Sequence, residues 1–262
     1  MNKKRLAPGG GGGGCWIGGK ATATSSEYND PDENLEASGT SIFDPVLCEI
    51  AYRWFCPKGG SILDPFAGGS VRGIVASVLG YRYTGVELRS EQVEANRRQV
   101  DIAGEPNPVW HCGDSRHIGE ICANGEADLV FSCPPYADLE VYSDDPADLS
   151  TLPYPSFREA YTEIIAESCK LLKPNRFACF VVGEVRGKNG DYYGFVPDTI
   201  RAFQAAGLSY YNEAILVTSA GSLPIRAGRQ FRAGRKLGKT HQNILVFCKG
   251  NSKKAAEACG AE

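Results

Sequence analysis

Histidine, long apolar runs and an excess of one charge are all scarce in this sequence. It has three histidines in 262 residues, and its ten cysteines are scattered with no Cys-x-x-Cys among them. That argues against a zinc module, so no metal is expected, and for reduced thiols in a cytoplasmic protein. The longest apolar stretches are as short as Phe177–Val182, far below the ~20 residues a membrane-spanning helix needs, so no spanning segment is expected. Lys3, Lys4 and Arg5 precede a glycine run and no apolar core, which does not read as a secretory signal. The 28 Lys and Arg against 31 Asp and Glu leave a formal charge of −3, too balanced to name a partner by itself.

What is present is an alternation. Residues 1–40 are expected to form a poorly ordered leader. Gly9–Gly14 is unbroken glycine, and Ala21–Ser38 is polar, so it buries too little surface to offset chain entropy; Trp16 and Ile17 are its one hint of docking. From Ser41 onward, helices are expected at Pro45–Cys56 (Asp44 as N-cap), Ser70–Leu79 (stopped by Gly80), Glu91–Ile102, Phe157–Leu172 and Pro197–Ala206. Strands are expected at Ser61–Leu63, Arg82–Leu88, Val109–Cys112, Asp128–Ser132, Arg176–Val185, Ser209–Thr218 and His241–Lys249. A proline-rich loop, Cys133–Pro155, follows the fourth strand, and a loop rich in glycine and arginine joins the last two. Residues 251–262 read as a flexible tail. The pattern predicts a single α/β domain over 41–250: a mostly parallel sheet with helices on both faces and an antiparallel pair at an edge.

Ligands in such sheets bind beyond the carboxyl ends of the strands. The first strand ends in Asp64-Pro65-Phe66-Ala67-Gly68-Gly69-Ser70, where glycines allow close approach of the backbone. Glu87 ends the second strand 23 positions after Asp64, suited to accept from ribose hydroxyls. Gly68, Gly69 and Gly73 do not fit G-x-G-x-x-G, and no P-loop lysine follows. An aspartate at the strand end disfavours a nearby phosphate and suits the ammonium of an amino acid. S-adenosylmethionine carries that ammonium and no phosphate. The plain alternative is a tight turn capped by Ser70.

The fourth strand ends in Asp128-Leu129-Val130-Phe131-Ser132-Cys133-Pro134-Pro135-Tyr136. With this second motif the chain resembles the S-adenosylmethionine-dependent DNA amino-methyltransferases of bacterial or phage type, which methylate adenine N6 or cytosine N4. That family carries D-P-F-x-G-x-G and then D-P-P-Y or S-P-P-Y; here Ser70 stands where glycine is usual, and Cys133 where Asp or Ser is. The resemblance spans about residues 40–250 and implies a Rossmann-like methyltransferase domain of seven strands, the last antiparallel. About sixty residues separate the motifs, leaving no room there for a target-recognition domain. It implies S-adenosylmethionine as cofactor, held by Phe43, Asp64, Pro65, Phe66, Ala67, Gly68, Gly69, Glu87 and Asp114. Phe43 would line the methionine end, with a hydrophobic staple as its competing reading. Asp114 would meet the adenine amino group, with a helix N-cap as the alternative.

An exocyclic amine is a poor nucleophile. It must be flipped out of the duplex, held in line with the sulfonium methyl and given an acceptor for its proton. The resemblance assigns that work to Ser132, Cys133, Pro134, Pro135 and Tyr136, with a backbone carbonyl at the proline pair and the tyrosine ring against the base. A thiol accepts hydrogen bonds weakly, so Ser132 or a water is the other candidate acceptor. The size of Cys133, closer to Ser than to Asp, leans towards cytosine N4. Double-stranded DNA is the expected partner: Arg226, Arg229, Arg232, Arg235, Lys236 and Lys239 lie between Ser222 and Lys254 with no acidic residue among them, a pattern suited to phosphates. Phe231, Gln230 and Gln242 are candidate base contacts, and the acidic loop Asp138–Asp148 should face away or act as a lid. RNA, protein or small-molecule methylation, or a binding protein impaired by the CPPY change, are the alternative readings.

Overall fold

Short β-branched and apolar runs bounded by glycine or proline favour strands, and a 3.6-residue apolar period favours helices. The computed structural model of the chain follows that alternation and describes residues 42–122, 126–136, 143, 145–218, 220–221 and 223–260. The expected leader, with Trp16 and Ile17, and Asp138 and Asp144 of the acidic loop lie outside these.

The chain runs α1 (Pro45–Phe55), β1 (Ser61–Asp64), α2 (Val71–Val78), β2 (Arg82–Glu87), α3 (Ser90–Arg97), β3 (Val109–Cys112), α4 (Ile118–Ile121), β4 (Ala127–Ser132), α5 (Tyr154–Leu171), β5 (Leu172–Val182), α6 (Phe195–Ala205), β6 (Ser209–Val217), α7 (Leu223–Gly234), β7 (His241–Lys249) and α8 (Ser252–Cys259). One seven-stranded sheet forms in the order β3-β2-β1-β4-β5-β7-β6. Strands β1 to β5 pair in parallel, and β7 is antiparallel to both neighbours. β1 pairs with β2 on one side and β4 on the other. The topology therefore switches direction between β1 and β4, and it is outside the carboxyl ends of strands at such a switch that open α/β sheets bind ligands.

Period-2 alternation divides the core. Ala178, Phe180 and Val182 of β5 face α5 and α6, where they join Phe157, Tyr161 and Phe203. Phe177, Cys179 and Val181 face the opposite layer with Leu47, Ala51 and Tyr52 of α1. Phe203 stacks on Phe247 of β7 at 4.0 Å between ring centroids. α1 begins as expected, with the Asp44 carboxylate accepting from the Val46 N–H at 2.9 Å and Pro45 in the first turn. No helix among the described residues is long and apolar enough to cross a membrane.

Two expectations are corrected. The basic segment between β6 and β7 contains a helix, α7, because Leu, Ala, Gln and Arg outweigh the ~1 kcal/mol that Gly228 costs in its interior. The expected flexible tail holds α8, capped by Asn251, whose side chain accepts from the Lys254 N–H at 3.0 Å, and anchored by the fully buried Ala255. In addition, α5 starts at Tyr154, three residues earlier than the spacing predicts, because Pro153 and Pro155 suit the entry and first turn of a helix.

At the amino edge, Asp128 ties three strands together. Its carboxylate accepts from the Ser61 N–H, Lys173 Nζ and Arg176 Nε, each at 3.0 Å. Burial opposes the charge, but the Ser61 amide and the two cations outweigh it and bring the carboxyl down to about 2. A depressed carboxylate stabilises the fold above its unfolded value and loses that contribution as pH falls through its folded value. Asp128→Asn is therefore expected to lower stability in urea denaturation at neutral pH by about 1–2 kcal/mol. The gap from wild type should close between about pH 4 and pH 2.

Candidate functional site

The DPFAGGS segment folds as a strand-to-helix turn because each residue has a local reason to bend. Pro65 lacks an N–H, the Phe66 N–H bonds back to Asp64 Oδ1 at 3.1 Å, and Gly68 sits at φ +51°. The Gly68 peptide is held from both sides: its N–H donates to Glu87 Oε2 at 3.0 Å and its carbonyl accepts from Asn96 Nδ2 at 2.7 Å. Gly69 has no atom within 4 Å of where a Cβ would project. The turn thus presents an open backbone surface between Phe66 and α2. Gly85 of β2 serves close packing instead, since a Cβ there would stand 2.7 Å from the Ala67 methyl.

Asp64 is fully buried. It accepts from Arg72 Nε at 2.6 Å, the Tyr83 hydroxyl at 2.8 Å, the Ser132 hydroxyl at 2.5 Å and the Phe66 N–H. Four donors use the accepting capacity of a carboxylate. The direct ammonium contact expected of Asp64 is therefore not open to it; the residue organises the turn. The Arg72 charge raises its own basicity through Asp64 despite the opposing effect of burial, while burial and then Asp64 push the Tyr83 hydroxyl well above its ordinary range. Ser132 is likewise buried and donates its hydroxyl proton to Asp64.

Glu87 lies at the rim, its Oε1 accepting from the Arg89 N–H at 3.0 Å. Burial raises its pKa, opposed by the Arg89 and Gly68 amides. Asp114 takes the N-cap reading: it accepts from the Arg116 N–H at 2.9 Å and pairs with the Arg116 guanidinium at 2.5 Å. Burial works to raise its pKa, but Arg116 dominates and lowers it. The next residue, Ser115, donates to the Pro65 carbonyl at 2.6 Å and binds the end of β3 to the turn. Ser70 makes no helix cap; its hydroxyl donates to Gln99 Oε1 at 2.5 Å. Phe43 has Phe131 and the Arg72 guanidinium as its ring partners.

The second motif leaves β4 beside this turn. Cys133 is half-buried with its sulfur 3.9 Å from the Tyr136 hydroxyl, Pro134 is buried and Pro135 half-buried. Tyr136 is 8 % exposed, its ring edge-on to Phe195 and its hydroxyl accepting from Gln242 Nε2 at 2.5 Å. Two expectations change here. Tyr136 is packed rather than displayed, and Gln242, a candidate base contact, is buried beneath it as its support. Phe231 and Gln230 are exposed on α7, as are Arg229 and Arg232, and Arg235 is exposed just past its end. Lys236 and Lys239 are half-buried, and burial lowers the pKa of Lys239 against the pull of Glu184. The sequence reading missed Arg72, Tyr83, Asn96 and Ser115, and gave Gln242 a different role. A signal existed for Arg72, the one charge in α2, which shares the buried face with Gly73, Ala76 and Ser77. No cluster of three or more His, Cys, Asp or Glu that could hold a metal occurs among the described residues.

This architecture is the Rossmann-like fold of S-adenosylmethionine-dependent methyltransferases. TrmN from Thermus thermophilus superposes over 78% of the chain with a TM-score of 0.53 and 15% identity, and the chain spans about half (48%) of that protein's length. A methyltransferase from Pyrococcus furiosus matches 79% of this chain and 83% of its own at a TM-score of 0.50 and 17% identity. A SAM-dependent methyltransferase from Methanosarcina mazei gives a TM-score of 0.51 and 10% identity over 77% of this chain and 97% of its own. No protein-family model and no curated protein sequence matches the chain.

Because Tyr83 and Ser132 meet on one carboxylate, their removal should not be additive. Tyr83→Phe and Ser132→Ala are each expected to cost about 1–2 kcal/mol. Urea denaturation of the two single variants and the double variant measures their coupling, expected at about 0.5 kcal/mol or more.

Proposed function

We propose that this protein transfers a methyl group from S-adenosylmethionine to an exocyclic amino group of a flipped base in double-stranded DNA, cytosine N4 or adenine N6. The observation that carries the reading is the Ser132–Asp64 hydrogen bond at 2.5 Å. It joins the tips of β1 and β4 and so brings the glycine turn and the CPPY segment side by side at the topological switch point. The residues present suit the cofactor. The open backbone of Gly68 and Gly69 admits its close approach, Glu87 at the rim can accept from ribose hydroxyls, and the anionic carboxylates nearby disfavour a phosphate ligand. When bound, the cofactor supplies a methyl group activated on a sulfonium.

The chain's own residues then do the rest. Glu87 and the glycine peptides orient the donor. The Pro134–Pro135 pair stiffens the segment after β4 and offers a carbonyl to the target amine, drawing its lone pair out of the ring and giving its proton somewhere to go. Cys133 sets the size of the pocket at the family's Asp or Ser position. Tyr136, held by Gln242 and Phe195, would bear on the base after a local shift of its ring. Arg226, Arg229 and Arg232 recur every third residue along α7, and Arg235 follows at its end. Arg229 and Arg232 are exposed on one side of that helix, where they can meet phosphates.

Incubation with methyl-labelled cofactor and duplex DNA, followed by nucleoside analysis, is expected to give N4-methylcytosine or N6-methyladenine. Label appearing only on RNA or protein offered in parallel would overturn the DNA assignment. Cys133→Ser should retain or raise turnover. Replacing both Arg229 and Arg232 with Ala should weaken DNA binding and reduce the salt dependence of log K by about two counterion units, read in a fluorescence titration across ionic strengths.

A further inference from the structure

Arg72 is too elaborately placed to serve only as the counter-charge of Asp64. Its side chain is 7% exposed, yet Asp64 already has three other donors. The guanidinium gives Nε to Asp64 and Nη2 to the carbonyls of Phe66 and Ala67, and its carbon lies 4.8 Å from the centroid of the Phe43 ring. These contacts hold the plane rigid and use three of its five N–H groups. Among the described residues no acceptor meets Nη1. The group also borders the open side of the glycine turn, since a Cβ on Gly68 would project to 4.0 Å from Arg72 Nη2. A buried cation with a fixed orientation and unused donors, at the edge of the glycine turn, is matched to an anion.

We infer that Arg72 binds the α-carboxylate of the methionine part of the cofactor through Nη1. The inference rests on the reading that this site holds S-adenosylmethionine. Asp64 then acts at one remove: it fixes the guanidinium plane and balances its charge before the ligand arrives. The carboxylate is held by the side chain that follows the glycine turn, two residues after the position where Ser70 replaces the family's last glycine.

The test uses S-adenosylhomocysteine and its carboxamide, which differ in the charge of one group. Calorimetric titration of the wild-type chain is expected to show the carboxamide binding about tenfold to a hundredfold more weakly. Arg72→Lys keeps a positive charge opposite Asp64 but withdraws the planar fork. It should weaken binding of S-adenosylhomocysteine and leave the carboxamide nearly unchanged, bringing the two within about threefold of each other. A thermal melt establishes that the variant is folded; should it not fold, the wild-type ligand pair decides alone. Equal affinity of the two ligands for wild type overturns the role of Arg72 while leaving the cofactor reading intact, and so does an undiminished difference in folded Arg72→Lys. Failure of wild type to bind S-adenosylhomocysteine at all overturns both.

Discussion

One buried anion orders the carboxyl edge of this sheet. Removing a carboxylate from water costs several kcal/mol unless donors replace the lost hydration. Asp64 finds its donors in four separate places: the turn at Phe66, helix α2 at Arg72, strand β2 at Tyr83 and strand β4 at Ser132. Satisfying a single charge therefore fixes the turn, the start of a helix and two strand tips relative to one another. The same demand explains the close packing nearby. Gly85 must be glycine-sized because Ala67 and the Tyr83 ring fill the space above it.

On the proposed reading, rigidity at this edge serves the chemistry, because methyl transfer to a weak nucleophile gains most from holding the reacting atoms in line, and a misplacement of an ångström is expensive. The structure invests accordingly. The Gly68 peptide is bonded through both its N–H and its carbonyl, Ser115 ties β3 to the turn, and Gln242 and Phe195 brace Tyr136 from β7 and α6. On that reading the donor side is built from β1 to β3, and the acceptor side from β4 with support from the antiparallel end of the sheet. The two halves meet at the Asp64–Ser132 bond.

The surface divides labour in a similar way. The acidic groups at this edge are held in place by N–H donors or by arginine: Asp114 by Arg116, and Glu87 by backbone amides. Exposed positive charge lies on α7 and just past its end, at Arg229, Arg232 and Arg235. A net charge of −3 conceals this separation, which matters more to a polyanionic partner than the total does.

Much of this was legible in the residues themselves. Alternating apolar periods set the order of strands and helices, Asp44–Pro45 marked a helix start, and the two motifs fell at the ends of neighbouring strands as their spacing implied. Local chemistry suffices there, because periodicity, caps and glycine turns are properties of short segments. Context carried the rest. Whether Asp64 faces a ligand or an arginine depends on side chains 8, 19 and 68 positions away, and no local pattern states their meeting. Gln242 reaches Tyr136 across 106 residues. The helix α7 was hidden by its glycines, and α8 by its short polar sequence, which only the Asn251 cap and the burial of Ala255 hold in place. The sequence by itself determined the fold, the strand tips that carry the motifs and the cationic segment. Only the tertiary structure decided which charges are spent internally and which remain for a ligand, because burial and pairing are set by neighbours distant in the chain.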